Sequence, residues 1–339
     1  MTVQINSNNQ MNQKMKNNIK EFFNEINNSD KICVIGHIAP DGDCIGSVMA
    51  LYEFLKTEYD KDVCFGFDGK IPYNFKSYID EKLILTDFED KKFDLLIVLD
   101  CGDEERLGKY KSLIPNSKMI ICVDHHKTNT EFADINIVDP TISSTGELLF
   151  HILKFENKQI SLKMAEYIYT AIITDTGNFA YSSTSSTTHR VAAELIEIGV
   201  DVAKIDNQIY NSKPVSTVKA YIECISNINF YYNNKLGIAK ISDEIVKRNN
   251  ANINDIEGIV EFIREINEVE ISCVLKEYNP ALTKVSLRSK NDIDVSEISK
   301  KFEGGGHAKA AGFQINGSLK ESEAILVKEL EEYLGKWFT

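Results

Sequence analysis

No stretch of this 339-residue chain reaches the ~18 consecutive apolar residues of a membrane span, and its beginning, MTVQINSNNQMNQKMKNN, lacks the apolar core of a signal peptide. A soluble, cytoplasmic protein with no membrane partner is therefore expected. A basic excess is missing too. Thirty-eight lysines and arginines against 51 acidic side chains leave a formal charge of −13, which argues against a nucleic-acid-coating protein and against a track for long duplexes. The seven cysteines, Cys33, Cys44, Cys64, Cys101, Cys122, Cys224 and Cys273, are odd in number and show no C-x-x-C spacing. They read as reduced core residues, neither zinc ligands nor disulfides. No internal repeat appears, and low complexity is confined to the Asn-rich beginning. With 43% hydrophobic and 26% charged residues the composition is ordinary globular, and the length suggests two domains at roughly 100–200 residues each.

Ile19, Phe22, Phe23 and Ile26 recur at helical spacing, which makes residues 1–29 an N-terminal extension with a helix. KICVIGH (31–37), DLLIVLD (94–100) and MIICVDHH (119–126) are continuous apolar runs of the buried parallel-strand type. Helical patterns follow at 44–58 and 144–156, so residues 30–205 are expected to form an α/β domain on a parallel sheet, completed by helices over 164–174 and 188–199. The stretch around Pro214 reads as a linker, placed at 206–220. From 221 to 339 the pattern changes to short alternating strands, LGIAKIS, ISCVLKE and TKVSLRS, around helix candidates at 253–266 and 320–335. This predicts a separate, smaller α+β domain.

The three apolar runs end in His37, Asp100 and Asp124-His125-His126, and the functional crevice of an open parallel sheet lies outside the carboxyl ends of its strands. Pro40-Asp41-Gly42-Asp43 places two further carboxylates on a tight turn, and Asp175 closes the apolar run AIIT. Any one of these aspartates could be a cap or a turn former. Together His37, Asp41, Asp43, Asp100, His125 and Asp175 make a metal-ligand set. Two imidazoles and four carboxylates with no thiolate suit Mn2+ or Mg2+ better than structural zinc. Four negative charges balance two divalent ions, the inventory of a two-metal site with ions roughly 3.5–4 Å apart acting on phosphate esters. His151 and His189 have no such company and read as core or solvated histidines.

A second constellation, EGGGHAKAAG (303–312), joins three glycines to an expected helix start, where successive backbone N–H groups would form an anion nest. Arg288 alternates out of TKVSLRSK (283–290) as a bidentate phosphate ligand or as an exposed edge arginine. Lys284, Lys290, Lys300, Lys301 and Lys309 make this segment locally basic, suited to a short anionic substrate held between the domains.

GHIAPDGDCIGS (36–47), the Asp100 strand end, DHH (124–126), TDTGN (174–178) and GGGH (304–307) resemble, in order and spacing, the DHH/DHHA1 phosphoesterases, from about residue 30 to the end. The compact layout is similar to the NrnA type within that family, which acts as a nanoRNA exonuclease and as a phosphatase of 3′-phosphoadenosine 5′-phosphate (pAp). The resemblance implies a first Mn2+ held by His37, Asp41 and Asp100 and a second held by Asp43, Asp100, His125 and Asp175, with Asp100 as bridge; Mg2+ or Co2+ could replace Mn2+. It implies that Asp124 orients a histidine and that His126 faces the scissile phosphate as hydrogen-bond donor or general acid. Arg288, Ser289, Gly304, Gly305, Gly306 and His307 would hold the terminal phosphate or nucleotide in a cleft between the domains. Arg106 could reach a phosphate or lie on the surface. Ser144 and Glu147 in SSTGE have capping-box spacing, read as a helix start.

The implied activity is hydrolysis of short oligonucleotides such as pApA to mononucleotides, and of pAp to AMP, by hydroxide activated between two metals. Turnover of cyclic or linear dinucleotide second messengers is one alternative, and a non-catalytic nucleotide sensor is another. RecJ-like action on long single strands would need a basic or stacking track that the −13 charge does not support. Family II pyrophosphatases differ in their second domain. A homodimer is the commonest closed assembly.

Overall fold

The computed structural model describes residues 12–88 and 91–335, so the Asn-rich beginning (1–11) lies outside the described residues. The chain divides into two compact units, Met1–Ser212 and Lys213–Thr339. Among the described residues no helix is long and apolar enough to cross a membrane.

The first unit comprises α1 (Gln13–Asn28), β1 (Lys31–Ile35), α2 (Gly42–Glu58), β2 (Asp62–Gly66), β3 (Phe93–Leu99), β4 (Ser117–Asp124), β5 (Ile135–Val138), α3 (Thr145–Phe155), α4 (Leu162–Asp175), α5 (Ser186–Ile198) and α6 (Val202–Tyr210). All five strands are parallel, in the order β2-β1-β3-β4-β5. The continuous apolar runs of β1, β3 and β4 follow from burial on both faces. Ile32, Val34, Leu95, Ile97 and Leu99 pack in the large core with residues of α1, α2 and α4. The alternate residues Cys33, Ile35, Leu96 and Val98 pack with Leu107, Tyr110 and Leu113. The latter three belong to a segment of 3₁₀ turns, Glu104–Asn116, that covers the other face. The strand order reverses between β1 and β3, the topological switch point at which such sheets open a crevice beyond their carboxyl ends.

The segment expected as a linker at 206–220 is mostly helical. α6 runs through Tyr210 because its buried Ile205 and Ile209 face the rest of the first unit, where Asn74 Nδ2 donates to Ile209 O at 3.2 Å. Pro214 then caps α7 (Val215–Ser226), which leaves only 211–214 outside helices.

The second unit continues with β6 (Asn229–Tyr231), β7 (Leu236–Ile241), α8 (Asp243–Arg248), α9 (Ile259–Glu265), β8 (Ile271–Asn279), β9 (Leu282–Ser289), α10 (Val295–Lys300), β10 (Gly305–His307), β11 (Ala310–Asn316) and α11 (Leu319–Leu334). Its mixed sheet runs β10-β11-β9-β8-β7-β6, with β7 and β8 the parallel pair. The helix expected over 253–266 is split into a 3₁₀ turn, Ile253–Asp255, and α9, because Gly258 at φ +83° turns the chain between them.

The helix start expected after the three glycines is a β-hairpin instead. Gly305 pairs with Gly312, Gly306 with Ala311 and His307 with Ala310. The period-two burial of Ala311, Phe313 and Ile315 beneath the sheet makes that stretch a strand.

Candidate metal centre

His37 lies two residues past β1 and is 3% exposed. Its Nδ1 is 2.7 Å from Ile38 O, which assigns the proton to Nδ1 and leaves the Nε2 lone pair free for a cation. Nε2 stands 3.6 Å from Asp41 Oδ1 and 3.4 Å from Asp100 Oδ2. Asp41 also caps α2, accepting from the Cys44 N–H at 3.1 Å, so its turn-forming role and its place in the cluster coexist.

Asp43 is the second residue of α2 and 1% exposed. The first turn of α3 holds its carboxylate: Thr145 N–H donates to Oδ2 at 2.7 Å and Gly146 N–H to Oδ1 at 3.0 Å. Ser47 Oγ donates to Oδ1 at 3.0 Å. Orphan amides at a helix N-terminus favour an anion, which explains how this carboxylate is fixed inside the unit.

Asp100 follows β3 with φ +57°, a left-handed conformation uncommon for a residue with a side chain. Its N–H donates to Val123 O at 3.1 Å, and Thr145 Oγ1 donates to its Oδ1 at 3.0 Å. His125 Nε2 stands 3.7 Å from Asp100 Oδ1, 3.6 Å from Asp43 Oδ2 and 3.4 Å from Asp175 Oδ2. Asp175 is the last residue of α4.

The six expected ligands therefore converge, in two groups that share Asp100. Two donors each about 2.1 Å from one ion, at angles of about 90–120°, stand about 3.0–3.6 Å apart. The histidine–carboxylate separations of 3.4–3.7 Å fit that geometry. The electrostatics agree. Burial pushes the Asp43 carboxyl up, and the charges of Asp100, Asp175 and Asp41 push it further. Asp175 is pushed up to about 7 by burial and by Asp100 and Asp41, against the pull of His125. Burial would raise Asp100 as well, but the neighbouring His37, His125 and His126 hold it below the usual range. Crowded carboxylates of this kind are relieved by cations, so the donor set fits divalent ions.

Asp124 is fully buried and accepts from His126 Nδ1 at 2.7 Å and from Asn129 Nδ2 at 2.7 Å. Burial would lower the His126 pKa, yet the Asp124 hydrogen bond and the charges of Asp100 and Asp124 raise it. Nε2 of His126 has no hydrogen-bond partner among the described residues.

SSTGE does start α3, but as half a capping box. Ser144 Oγ accepts from the Glu147 N–H at 3.0 Å, whereas the Glu147 carboxylate turns to the Ser143 N–H at 3.3 Å, to Ser143 Oγ and to Thr188 Oγ1 at 2.9 Å. His151 is a core histidine 3.8 Å from that carboxylate, and exposed His189 stacks on Phe179 at 5.1 Å. Arg106 has an exposed side chain, and its carbonyl accepts from the Ile38 N–H at 2.7 Å.

Sequence reasoning missed Thr145, Gly146, Ser47 and Asn129, which brace the carboxylates. It also missed that the Cys44 thiol lies beside His37 and Asp100. The STGE motif signalled the helix start but not the carboxylate that it holds, and nothing local marks Asn129.

In the second unit Arg288 Nε is 3.2 Å from Glu261 Oε1, and Nη1 donates to Leu287 O at 3.1 Å. Ser289 is buried and donates to Ile293 O at 2.6 Å and Ala308 O at 3.3 Å, so its hydroxyl secures the hairpin. A Cβ on Gly304 would stand 2.4 Å from Gly312 O, and one on Gly306 2.4 Å from Ala310 O, while nothing lies within 4 Å of one on Gly305. The three glycines thus do different jobs: two permit packing and one leaves an open face. The side chain of His307 lies outside the described residues. The basic segment is partly neutralised, with Lys301 paired to Glu329 and Lys290 donating to Ile266 O at 2.6 Å.

Residues 31–172 match the DHH family, N-terminal domain, and residues 233–336 match the DHHA1 domain. The chain is 28% identical over 288 residues to the bifunctional oligoribonuclease and PAP phosphatase NrnA of Thermus thermophilus, covering 84% of each chain. The crystal structure of an exopolyphosphatase-related protein from Bacteroides fragilis superposes with a TM-score of 0.89 at 30% identity, over 96% of this chain and 98% of that one. RecJ from Thermus thermophilus, solved in complex with Mn2+, shares the fold at a TM-score of 0.56 and 12% identity, over 96% of this chain and 55% of that one. With both domains matched in order and the six side chains clustered in the first, the chain belongs to the DHH/DHHA1 family of phosphoesterases.

Proposed function

We propose that this phosphoesterase is Mn2+-dependent and hydrolyses short oligonucleotides, such as pApA and nanoRNA, to mononucleotides, and pAp to AMP. The observation that carries the reading is the sharing of Asp100 between the His37 and His125 groups. The name of the Thermus relative supports the substrate class, and hard oxygen and imidazole donors support Mn2+ over softer ions.

His37, Asp41 and Asp100 would hold one ion, and Asp43, Asp100, His125 and Asp175 the other. When bound, the pair supplies Lewis-acid polarisation of a phosphoryl oxygen and a lowered pKa for water. The α3 amides keep Asp43 aimed, and Thr145 does the same for Asp100. Asp124 accepts the Nδ1 proton of His126 and pulls the pKa of the ring upward, the direction that favours Nε2 as the proton donor to the leaving ester oxygen. In the second unit the Arg288 guanidinium would exchange Glu261 for a substrate phosphate, and the open face of Gly305 would admit the nucleotide close to the backbone, with Gly304, Gly306, Ser289 and His307 completing that site. The enzyme would work in the cytoplasm, as a homodimer, on short rather than long duplex substrates.

The test is product release with Mn2+ from pAp, pApA, a pentanucleotide RNA, cyclic di-AMP and pyrophosphate, with Asp100→Ala as blank. AMP from pAp and mononucleotides from the RNA are expected. No turnover with nucleotide binding retained would make the protein a sensor, and turnover undiminished in Asp100→Ala would remove the metal assignment.

A further inference from the structure

Cys44 is the third residue of α2, directly after Asp43, and has no solvent exposure. Its sulfur does not simply fill apolar core. Sγ, a ring nitrogen of His37 and a carboxylate oxygen of Asp100 all lie within 4.8 Å of one another. Gly36 makes the room, since a Cβ there would stand 2.2 Å from Sγ. Among the described residues, the groups able to hold a metal contain no other cysteine.

A soft sulfur beside an imidazole and a carboxylate changes which cations the position prefers. Oxygen and imidazole donors suit Mn2+ and Mg2+, whereas thiolates select thiophilic ions. In a tetrahedral site with metal–sulfur bonds of about 2.3 Å and metal–nitrogen or metal–oxygen bonds of about 2.1 Å, neighbouring donors stand about 3.5 Å apart. His37 Nε2 and Asp100 Oδ2 already meet that spacing at 3.4 Å. Sγ has at most 4.8 Å to close to about 3.5 Å, a movement of about 1 Å that would turn Cys44 roughly 30–40° out of its staggered rotamer.

We propose that Cys44 makes the first ion position a mixed hard and soft site, which captures thiophilic divalent cations of the Zn2+ and Cd2+ class through Sγ, His37 and Asp100. Formation of the sulfur–metal bond releases the S–H proton to water, with no change of oxidation state. The captured ion displaces Mn2+ from this position and stops turnover. The proposal rests on the reading of His37 and Asp100 as metal ligands.

The test titrates Cd2+ into the wild-type protein and into Cys44→Ala, reading the near-ultraviolet sulfur-to-cadmium charge-transfer band, while Mn2+ stoichiometry is counted separately by electron paramagnetic resonance. The wild type should show a saturable band equivalent to one thiolate per chain. Cys44→Ala should lose the band, and its Cd2+ affinity should fall about tenfold, the lower end of what losing a metal-site partner costs. Cadmium NMR on the wild type alone reads a sulfur ligand independently of how well the variant folds. Absence of the band in the wild type, or its persistence at full amplitude in Cys44→Ala, would overturn the proposal. Failure of the wild type to bind Mn2+ at all would overturn the two-metal reading beneath it, and is seen in the separate Mn2+ count.

Discussion

Asp100 turns its two carboxylate oxygens to different histidines, Oδ2 to His37 at 3.4 Å and Oδ1 to His125 at 3.7 Å. A single carboxylate thereby joins two donor groups. Asp100→Asn keeps an acceptor for Thr145 but removes the shared charge. Mn2+ stoichiometry should fall below two per chain, and turnover should drop by at least about a hundredfold, the low end for losing one stabiliser of transition-state charge.

His126→Asn should separate chemistry from metal binding. The imidazole is held by Asp124 and its Nε2 is unengaged, so the loss falls on proton transfer, about 10²–10⁴-fold in kcat with both Mn2+ ions retained. A substrate with a nitrophenolate leaving group needs no proton there and should be nearly insensitive. An equal loss on both substrates would remove the general-acid role.

Removing metal should cost stability as well as activity. Without cations, Asp43 and Asp175 are pushed upward by burial first and then by the charges of Asp100 and Asp41. Mn2+ at about 100 times its Kd should add about 2.7 kcal/mol to the first unit and raise its Tm by about 5–10 °C over the chelated protein, measured by calorimetry.

Glu147 sets part of the acid limit. Burial would raise its pKa, but nearby His151 and the hydrogen bonds from Ser143 and Thr188 hold it below its ordinary value of 4.5. A carboxyl whose folded pKa is depressed stabilises above its unfolded pKa and loses that contribution as pH falls through the folded one. The stabilisation should therefore be full above pH 4.5 and fade below it. Glu147→Gln should cost about 1–3 kcal/mol at neutral pH and flatten the acid limb of the stability curve in denaturant titrations.

The glycine hairpin gives a paired prediction. Gly304→Ala drives a Cβ to 2.4 Å from Gly312 O and should destabilise the second unit by about 1–3 kcal/mol. Gly305→Ala meets nothing within 4 Å, so its Tm should hold while KM for pAp rises. An unchanged KM would remove Gly305 from the substrate site.

Much of the first unit was legible because its signals are local. Strands buried on both faces read as apolar runs, and a polar residue ending such a run, as His37 and Asp100 do, stands out against them. β2 and β5 went unread because neither is a continuous buried run: exposed Asp62 opens β2, and partly exposed residues interrupt both. The extended α6 and the split at Gly258 were missed because an Ile205 or an Ile209 reveals its burying surface only in the folded chain. The EGGGH segment misled for a related reason: glycines before a polar stretch suit a helix start or a hairpin equally, and the pairing of Ala310–Asn316 with Leu282–Ser289 decides it.

Residue type and short-range periodicity were enough to pick out the aspartates and histidines that cluster, and to place His37, Asp100 and Asp124-His125-His126 at strand ends. Which of them meet is a matter of long-range packing. β1 and β3 become neighbours through the pairing of Ile32 with Leu95 across some sixty residues, which brings His37 to Asp100. The start of α3 closes on Asp43 from a hundred residues away, and Glu261 claims Arg288. Such contacts depend on chain crossing and packing, which no local pattern encodes, and they turn a list of aspartates and histidines into two groups that share Asp100.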